Sequence, residues 1–369
     1  MQLREALRSA LANLQEHDVP SPSLAAELLL MHVLGRDRAF LYTYPEFEVG
    51  FDAAKRYFEL VAERTTGKPT QYITGHQEFW GLDFEVTPDV LIPRPETEHM
   101  VEVVLELVGR GLNNPRQTPR DTLWKRDSSA PPQMLPDNFN RSGERLGAAG
   151  LKPRPFEARN VGAALRIADV GTGSGCIALA LASELPSTMV VATDISRPAL
   201  EVARRNAVRL GMPDRVHFVE TDLLDCFGAE DAGCAVDFVV SNPPYVSLDD
   251  IGSVQREVRD FEPRIALGGT GSGAEVYGRL FSQALAVLRP GGYVAVEIGY
   301  NQSDVVLGLL GEGWDDAEVR PDLAGIPRVV TARKQPSAVS YQPSAGIQTN
   351  SKAVRKDLRI ENGEPMTER

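Results

Sequence analysis

The sequence predicts an α/β fold: a doubly wound, seven-stranded, mostly parallel sheet, preceded by a small N-terminal helical bundle that a β-hairpin joins to it. Three observations lead to this prediction. Short apolar runs alternate with helical patterns after residue 163, which is typical of a parallel sheet covered on both faces. Residues 1–75 carry leucines at helical spacing, and a short strand-turn-strand pattern follows them.

Composition narrows the classes of protein to consider. The chain has 369 residues, a hydrophobic fraction of 42% and a net charge of -12. No apolar run approaches the roughly 20 residues that a membrane span needs, and the first residues form an amphipathic pattern instead of a signal peptide. Three cysteines without paired spacing favour a reducing compartment. We therefore expect a cytoplasmic protein with no membrane partner.

The first domain, residues 1–75, is predicted to contain three helices and to recognise a substrate. Its first helix has one leucine face, formed by Leu3, Leu7, Leu11 and Leu14. A second helix starts near Pro22, with Ser21 or Ser23 as its cap, and a third runs over 52–64.

A hairpin linker is predicted over residues 76–95. Strands at 78–80 and 84–86 flank a turn at 81–83. Two prolines then hold an extended segment at 91–98, and a helix runs from Glu96 to about Val108.

The main domain is predicted over 96–334, with a disordered insertion at 109–162 and a disordered tail at 335–369. Both of these segments are rich in polar residues, Pro and Gly and lack a sustained period. The seven predicted strands of the domain lie at 165–170, 190–193, 216–220, 236–241 and 293–298, near Glu318, and at 328–331. Right-handed crossovers place the loops after the parallel strands along one rim, where such sheets bind ligands.

A glycine-rich turn follows the first of these strands. It comprises Asp169, Gly171, Thr172, Gly173, Ser174 and Gly175. Glycines allow a sharp turn and a close approach of backbone N–H groups to a ligand. A nicotinamide-binding turn or a purely structural turn has the same pattern. The carboxylate of Asp169 would repel the pyrophosphate of a dinucleotide but could bind an amine. The preferred ligand is therefore a nucleoside that carries an amino acid, instead of a dinucleotide.

Acidic residues at the ends of the next two strands support the same type of ligand. Asp194 has the spacing of an acid that binds ribose hydroxyls. Asp222 is a candidate acceptor for an adenine amino group, with a helix cap as the alternative, and Leu223 is a candidate cover for the base. S-adenosylmethionine is a ligand that fits all of these residues. A second glycine run, 268–273, is interpreted as a mobile loop on the substrate side.

The sharpest signal is the run Asn242, Pro243, Pro244 and Tyr245, directly after a buried strand. Proline cannot continue a central strand, so the chain leaves the sheet as a stiff loop on the ligand rim. A planar amide or amino nitrogen attacks a sulfonium methyl group poorly. The side-chain oxygen of Asn242 and the carbonyl of Pro243 can each accept one of its N–H groups, and Tyr245 can stack on it. A plain turn is the alternative interpretation. These four residues are the predicted catalytic loop. Scattered histidines predict no metal site.

Residues 169–175 and 242–245 resemble those of nitrogen-directed class I methyltransferases. Further motifs lie in the helical N-terminal segment and at residues 69–75, 79–81 and 91–98. Taken together, these motifs make the chain resemble the peptide chain release factor glutamine methyltransferases. The resemblance implies N5-methylation of the glutamine in a Gly-Gly-Gln tip, with the helical domain helping to hold the release factor. It also implies that Asn242 contacts S-adenosylmethionine. Leu223 departs from the family, whose members often carry an aromatic residue there.

Three rival functions share these motifs. The same loop could methylate a ribosomal-protein glutamine or the N6 atom of adenine in a nucleic acid, and the chain could instead be an inactive S-adenosylmethionine-binding adaptor. The acidic charge argues against a nucleic-acid partner. The intact Asn242 loop argues against an inactive protein. We expect a monomer whose partner is a peptide chain release factor.

Overall fold

The structure is a computed structural model that describes residues 1–112, 165–227, 235–247, 251–268 and 273–336. The predicted tail lies outside these residues apart from its first two positions, 335 and 336. The predicted insertion lies outside them too, except that residues 109–112 continue a helix. The helix that was expected to end near Val108 therefore extends to Leu112.

The N-terminal region contains more helices than the three predicted. Its helices are α1 (Leu3–Glu16), α2 (Pro22–Leu34), α3 (Arg38–Thr43), α4 (Phe51–Thr65) and α5 (Thr70–Thr74). Sequence periodicity missed α3 and α5 because they have only six and five residues. Ser21 precedes α2, but its side chain makes no cap hydrogen bond.

These helices share a core of their own. Leu3 and Leu14 are buried there as expected, but the centre of the buried face of α1 is formed by Ala6 and Ala10. The two alanines are small, so neighbouring helices can approach closely. The hydroxyl of Tyr57 donates to the carbonyl oxygen of Ala26 at 3.0 Å, which ties α4 to α2 inside this core.

The hairpin lies one or two residues away from its predicted position. Strands β1 (His76–Phe79) and β2 (Leu82–Glu85) pair antiparallel. Trp80 and Gly81 form the turn with φ angles of +57° and +70°. Two consecutive positive φ angles define the hairpin turn that matches the twist of paired strands, so the chain turns over two residues instead of three. Phe79 and Phe84 pack into the core of the main domain.

The sheet confirms the predicted fold. Its strands are β3 (Arg166–Val170), β4 (Met189–Asp194), β5 (Val216–Glu220), β6 (Val236–Ser241), β7 (Leu288–Glu297), β8 (Trp314–Pro321) and β9 (Pro327–Lys334). Within the described residues they form one seven-stranded sheet in the order β5-β4-β3-β6-β7-β9-β8. Among them β9 alone runs opposite to the other six strands, so the sheet is mostly parallel. Strand β7 begins five residues earlier than predicted.

Helices cover both faces of this sheet. Successive side chains of a strand point to opposite faces of the sheet. In β3, Ile167 and the next residue, Ala168, belong to two separate clusters of buried side chains, so both faces are covered. The remaining helices are α6 (Glu98–Leu112), α7 (Cys176–Glu184), α8 (Arg197–Arg209), α9 (Arg256–Phe261), α10 (Arg264–Leu267), α11 (Glu275–Val287) and α12 (Ser303–Gly308). The loops that follow β3, β4, β5 and β6 meet at the carboxyl rim, where the candidate residues lie.

Candidate active site

The glycine turn has the open form expected of a ligand cradle. Gly171 and Gly173 have φ angles of +71° and +55°, and a methyl group added to either would meet no atom within 4 Å. The N–H groups of Gly171 and Thr172 donate to the carbonyl oxygen of Thr193 at 2.8 and 2.9 Å, which ties the turn to the end of β4. Gly175 instead faces α8, where an added methyl group would lie 3.2 Å from the Cβ atom of Ala203.

Asp169 lies beneath this turn and is fully buried. Its Oδ2 atom accepts from the Thr172 hydroxyl at 2.6 Å and from the Ala178 N–H at 3.1 Å, while Oδ1 has no partner among the described residues. Burial raises the pKa of its carboxyl to about 7, against the hydrogen bond from Thr172, which lowers it. In this structure Asp169 braces the turn. Its predicted contact with a ligand amine stays a prediction.

Asp194 ends β4 and lies beside the turn. Its predicted contact with ribose hydroxyls stays a prediction. Its Oδ2 atom accepts from the Gly173 N–H at 2.9 Å, and Oδ1 accepts from the Ser196 N–H at 2.8 Å. Burial raises the pKa of this carboxyl, and these backbone hydrogen bonds lower it. The carboxylate is therefore held at a fixed position at the edge of the cradle.

A buried asparagine that the motifs did not reveal connects the cradle to the hairpin. The Nδ2 atom of Asn206 donates to the carbonyl oxygens of Ser174 and Glu85 at 2.9 and 3.0 Å. Its Oδ1 atom accepts from the Glu85 N–H at 2.7 Å. Asn206 is fully buried on α8, so one side chain fixes the glycine turn against β2.

The segment after β5 carries Asp222 and Leu223. The Asp222 carboxylate accepts from Arg279 at 2.6 Å, and α11 thereby holds this carboxylate at the rim. Asp222 precedes a turn, so it does not cap a helix. Leu223 has a φ angle of +50° and packs against the sheet core near α11. Their predicted contacts with adenine remain predictions.

The predicted catalytic loop leaves the rim directly after the fully buried strand β6. The Nδ2 atom of Asn242 donates to the hydroxyl oxygen of Thr97 at 3.1 Å. Pro243 is buried, whereas Pro244 and Tyr245 are partly buried. Burial raises the pKa of the Tyr245 hydroxyl to about 12, so this ring is neutral at physiological pH.

Glu297 ends β7 behind Asn242 and is buried. Burial raises the pKa of its carboxyl to about 7, whereas hydrogen bonding with Thr97 and Asn242 lowers it. No local sequence pattern marks Glu297 or Thr97, because they come close to Asn242 only in the folded sheet.

Two glycines of the run 268–273 lie against the catalytic loop and the residue that follows it, Val246. A methyl group on Gly268 would lie 2.2 Å from the carbonyl oxygen of Val246, and one on Gly273 would lie 2.4 Å from that of Tyr245. For these two positions the interpretation as mobility is wrong, because glycine is needed for close backbone packing. Residues 269–272 lie outside the described residues.

A cavity of about 150 Å³ opens beside the catalytic loop. Its walls are mainly apolar and are formed by Leu91, Arg94, Asn242, Pro243, Tyr245, Val246, Val254, Val258, Ala266 and Leu267. Arg94 is the cationic residue of this wall, and its guanidinium is paired with the buried Glu262 carboxylate at 2.6 Å. The cavity is smaller than a typical drug-sized pocket and has the size for one side chain.

Two family models match the chain. The first, described as PrmC N-terminal domain, matches residues 5–75. The second, described as Methyltransferase small domain, matches residues 156–258 and so includes the glycine turn and the catalytic loop.

Curated relatives match nearly the whole chain. A protein of Koribacter versatilis named release factor glutamine methyltransferase is 44% identical over 91% of this chain and 100% of its own length. Proteins of the same name from Moorella thermoacetica and Chlorobaculum tepidum are 37% and 35% identical, over 91% and 90% of this chain and 99% and 97% of their own lengths. Identity of this level over almost complete chains shows common ancestry, and the chain belongs to the release factor glutamine methyltransferase family.

Proposed function

We propose that this enzyme transfers the methyl group of S-adenosylmethionine to the side-chain amide nitrogen, N5, of the Gly-Gly-Gln glutamine in peptide chain release factors. The observation that carries the proposal is the placement of Asn242. Its Nδ2 atom is held by Thr97 at 3.1 Å, at the wall of a cavity of about 150 Å³. The Oδ1 atom is thereby available to a substrate in that cavity. The names of the relatives support the choice of release factors.

The rim residues fit S-adenosylmethionine. Gly171 and Gly173 leave open space above the turn, as a backbone that meets a ligand requires. The unpartnered Oδ1 atom of Asp169 and the fixed Asp194 carboxylate supply acceptors for the amine and the ribose of the cofactor. With the remaining predicted residues, Thr172, Ser174, Gly175, Asp222, Leu223 and Asn242, they form the proposed cofactor site. When bound, S-adenosylmethionine supplies an electrophilic methyl group on a sulfonium ion.

The catalytic loop then has to orient a weak nucleophile. The amide nitrogen of glutamine is planar, and its lone pair is delocalised into the carbonyl group. The Oδ1 atom of Asn242 and the carbonyl oxygen of Pro243 each accept one N–H, which orients the NH2 group and favours the positive charge that develops on nitrogen. Pro243 and Pro244 keep the loop stiff, and the neutral ring of Tyr245 covers the planar amide and excludes water.

The proposal also includes the cellular location, the oligomeric state and the partner of the enzyme. No helix among the described residues is long and apolar enough to cross a bilayer. The acidic chain, with a net charge of -12, is poorly suited to a nucleic-acid substrate. We place the enzyme in the cytoplasm, as a monomer whose N-terminal helices help to hold the release factor.

A methylation assay tests this function. The purified enzyme is incubated with isotopically labelled S-adenosylmethionine and a release factor, a ribosomal-protein fraction or DNA. Mass mapping then identifies the modified residue. We expect label on the release-factor glutamine. Label confined to the ribosomal fraction or to DNA would replace the proposed substrate, and no label on any of them would contradict the activity.

A variant ties this activity to the loop. In Asn242→Ala one oriented acceptor is lost, so we expect kcat to fall by about 10²- to 10³-fold. Cofactor affinity, measured by calorimetry, should change much less. Asn13→Ala, at an exposed position of α1, is the matched control and should retain full activity. Full turnover of Asn242→Ala would refute the role of the loop.

A further inference from the structure

The carbonyl end of the substrate amide has no assigned partner in the proposed function. A glutamine side chain carries an NH2 group, which donates two hydrogen bonds, and a carbonyl oxygen, which accepts. Asn242 and Pro243 accept from the NH2 group. The carbonyl oxygen then lies in a cavity whose walls are mainly apolar. A buried acceptor without a donor costs free energy, so a donor on the cavity wall is needed for this oxygen.

Arg94 is the side chain of the wall that is suited to this role. Besides Asn242, the polar side chains of the wall are those of Arg94 and Tyr245. The lone pairs of a carbonyl oxygen lie near the plane of the amide. In the proposed function the ring of Tyr245 covers the amide, so its hydroxyl lies outside this plane. The guanidinium of Arg94 carries five N–H donors and no acceptor.

The backbone of Arg94 is joined to Asn242. Arg94 lies between Pro93 and Pro95, which restrict the chain on both sides. Its carbonyl oxygen accepts from the Thr97 N–H at 3.0 Å, and the Thr97 hydroxyl accepts from the Nδ2 atom of Asn242 at 3.1 Å. Two hydrogen bonds through one residue therefore connect the cationic donor of the wall to the acceptor of the catalytic loop.

Glu262 holds the guanidinium of Arg94. Its Oε1 atom accepts from the Nη2 atom of Arg94 at 2.6 Å. The Glu262 side chain is 1% exposed, whereas that of Arg94 is 34% exposed. The Nε and Nη1 atoms of Arg94 have no hydrogen-bond partner among the described residues. One edge of the guanidinium is thus fixed by a buried carboxylate, and its other donors are available to a substrate.

The same pair sets the charge of the site. A lone guanidinium would bind a carboxylate more strongly than a neutral amide. The Glu262 carboxylate, 2.6 Å away, offsets this charge but leaves the remaining N–H donors in place. Burial raises the pKa of the Glu262 carboxyl and the charge of Arg94 lowers it, so each partner favours the ionised form of the other. An ion pair of this kind can donate to a carbonyl oxygen while offering little net attraction to a carboxylate.

We propose that Arg94 donates a hydrogen bond to the side-chain carbonyl oxygen of the substrate glutamine, and that Glu262 offsets its charge so that the site selects an amide over a carboxylate. The inference rests on the proposed function, which assigns the NH2 end of the same amide to Asn242 and Pro243. It makes Arg94 a substrate-binding residue and Glu262 a specificity-determining residue.

Glu262→Gln separates charge from shape. The Oε2 atom of Glu262 has no partner among the described residues, so an NH2 group in its place breaks no hydrogen bond. The remaining oxygen still accepts from Arg94, but the pair becomes cationic. A release factor whose tip glutamine is replaced by glutamate serves as a competitive inhibitor. We expect its inhibition constant, divided by the KM of the normal release factor, to fall by about 10-fold in this variant. The melting temperature should not fall.

Arg94→Lys tests the hydrogen bond. Lysine keeps the charge opposite Glu262 but lacks the forked donors that reach two partners at once. We expect the KM for the release factor to rise by about 10-fold with a smaller change in kcat, because the contact holds the substrate equally before and during methyl transfer. Affinity for S-adenosylmethionine, measured by calorimetry, should be retained. A purely structural role would lower the melting temperature without this difference between KM and kcat.

A second buried carboxylate provides matched controls. Asp237 is buried near the start of β6 and pairs with Arg289 at 2.6 Å, at the opposite end of this strand from Asn242. Asp237→Asn and Arg289→Lys repeat the two changes there. They should alter neither the inhibition ratio nor the KM for the release factor.

Several outcomes would overturn the inference. With an active unsubstituted enzyme, an unchanged KM in Arg94→Lys, or a rise found in Tyr245→Phe instead, shows that Arg94 does not donate to the substrate. An unchanged inhibition ratio in Glu262→Gln shows that Glu262 does not select against glutamate. The proposed function stands in each of these cases. If the unsubstituted enzyme methylates none of the substrates, the proposed function fails and the inference fails with it.

Discussion

The side-chain Nε2 atom of Gln302 donates a hydrogen bond to the backbone carbonyl oxygen of Tyr245, 3.0 Å away. The Oε1 atom of the same side chain accepts from the Gly299 N–H at 3.0 Å. Both ends of this amide are therefore used. Gln302 ties the catalytic loop to the segment that follows β7, so the position of Tyr245 depends on a residue outside the motif.

Substitution of Gln302 should loosen the catalytic loop. Gln302→Glu keeps the acceptor for Gly299 but places a carboxylate oxygen against the Tyr245 carbonyl, where a donor is needed. We expect kcat to fall by about 10-fold, since small misplacements of reacting groups are costly. Steady-state kinetics measure this, with Gln335→Glu at an exposed position as control. A kcat equal to that of the unsubstituted enzyme would show that the loop holds its shape without Gln302.

Gly268→Ala should disturb the loop through a steric contact alone. Gly268 has φ and ψ angles of -153° and 145°, a conformation that alanine adopts readily. The added methyl group would lie 2.2 Å from the carbonyl oxygen of Val246. We expect a loss of about 1–3 kcal/mol in the free energy of unfolding, together with lower kcat. Gly308→Ala, where a methyl group meets nothing within 4 Å, is the control for urea denaturation. Equal stability of both variants would refute the contact.

Arg64→Met should destabilise the contact between the N-terminal helices and the cavity wall. Arg64 is 2% exposed, is paired with Glu257 on α9 and donates to the Thr70 hydroxyl at 3.2 Å. The Glu257 side chain is 19% exposed, so its unpaired carboxylate stays partly hydrated, and we expect a loss below the about 3–5 kcal/mol that breaking a fully buried pair costs. Denaturation measures the loss, with the exposed Arg56→Met as control. The further change Glu257→Met should recover part of it; no recovery would show that packing, and not the lone charge, accounts for the loss.

Asp169→Asn should weaken the dependence of stability on pH. Burial raises the pKa of this carboxyl from 3.8 to about 7. A carboxyl group whose pKa is higher in the folded than in the unfolded state stabilises the folded protein at low pH. This stabilisation is lost as pH rises from the unfolded-state pKa through the folded-state pKa. Between pH 5 and pH 8 the unsubstituted protein should therefore lose about 2–3 kcal/mol from this group, which asparagine lacks. Urea denaturation at both pH values compares the two proteins. Parallel changes in the two would contradict the raised pKa.

The sequence by itself determined the fold class, the order of the strands along the chain and the location of the glycine turn and the Asn242 loop. These features depend on local chemistry. Alternating hydrophobicity, helical spacing, positive φ at glycine and the missing N–H of proline all act within a few residues. Some errors were of the same local kind: α3 and α5 are too short for a periodic signal, and the predicted turn at 81–83 lay one or two residues beyond the observed turn at Trp80 and Gly81.

The tertiary structure alone decided which residues support these motifs. Thr97 and Asn242 are 145 residues apart in the chain, and Asn206 and Glu85 are 121 apart, yet each pair is hydrogen bonded. No periodicity or spacing encodes such pairs, because the order of strands in the sheet and the crossovers between them bring the partners together. The physical reason is that a buried polar group must find its partner wherever the packed chain provides one.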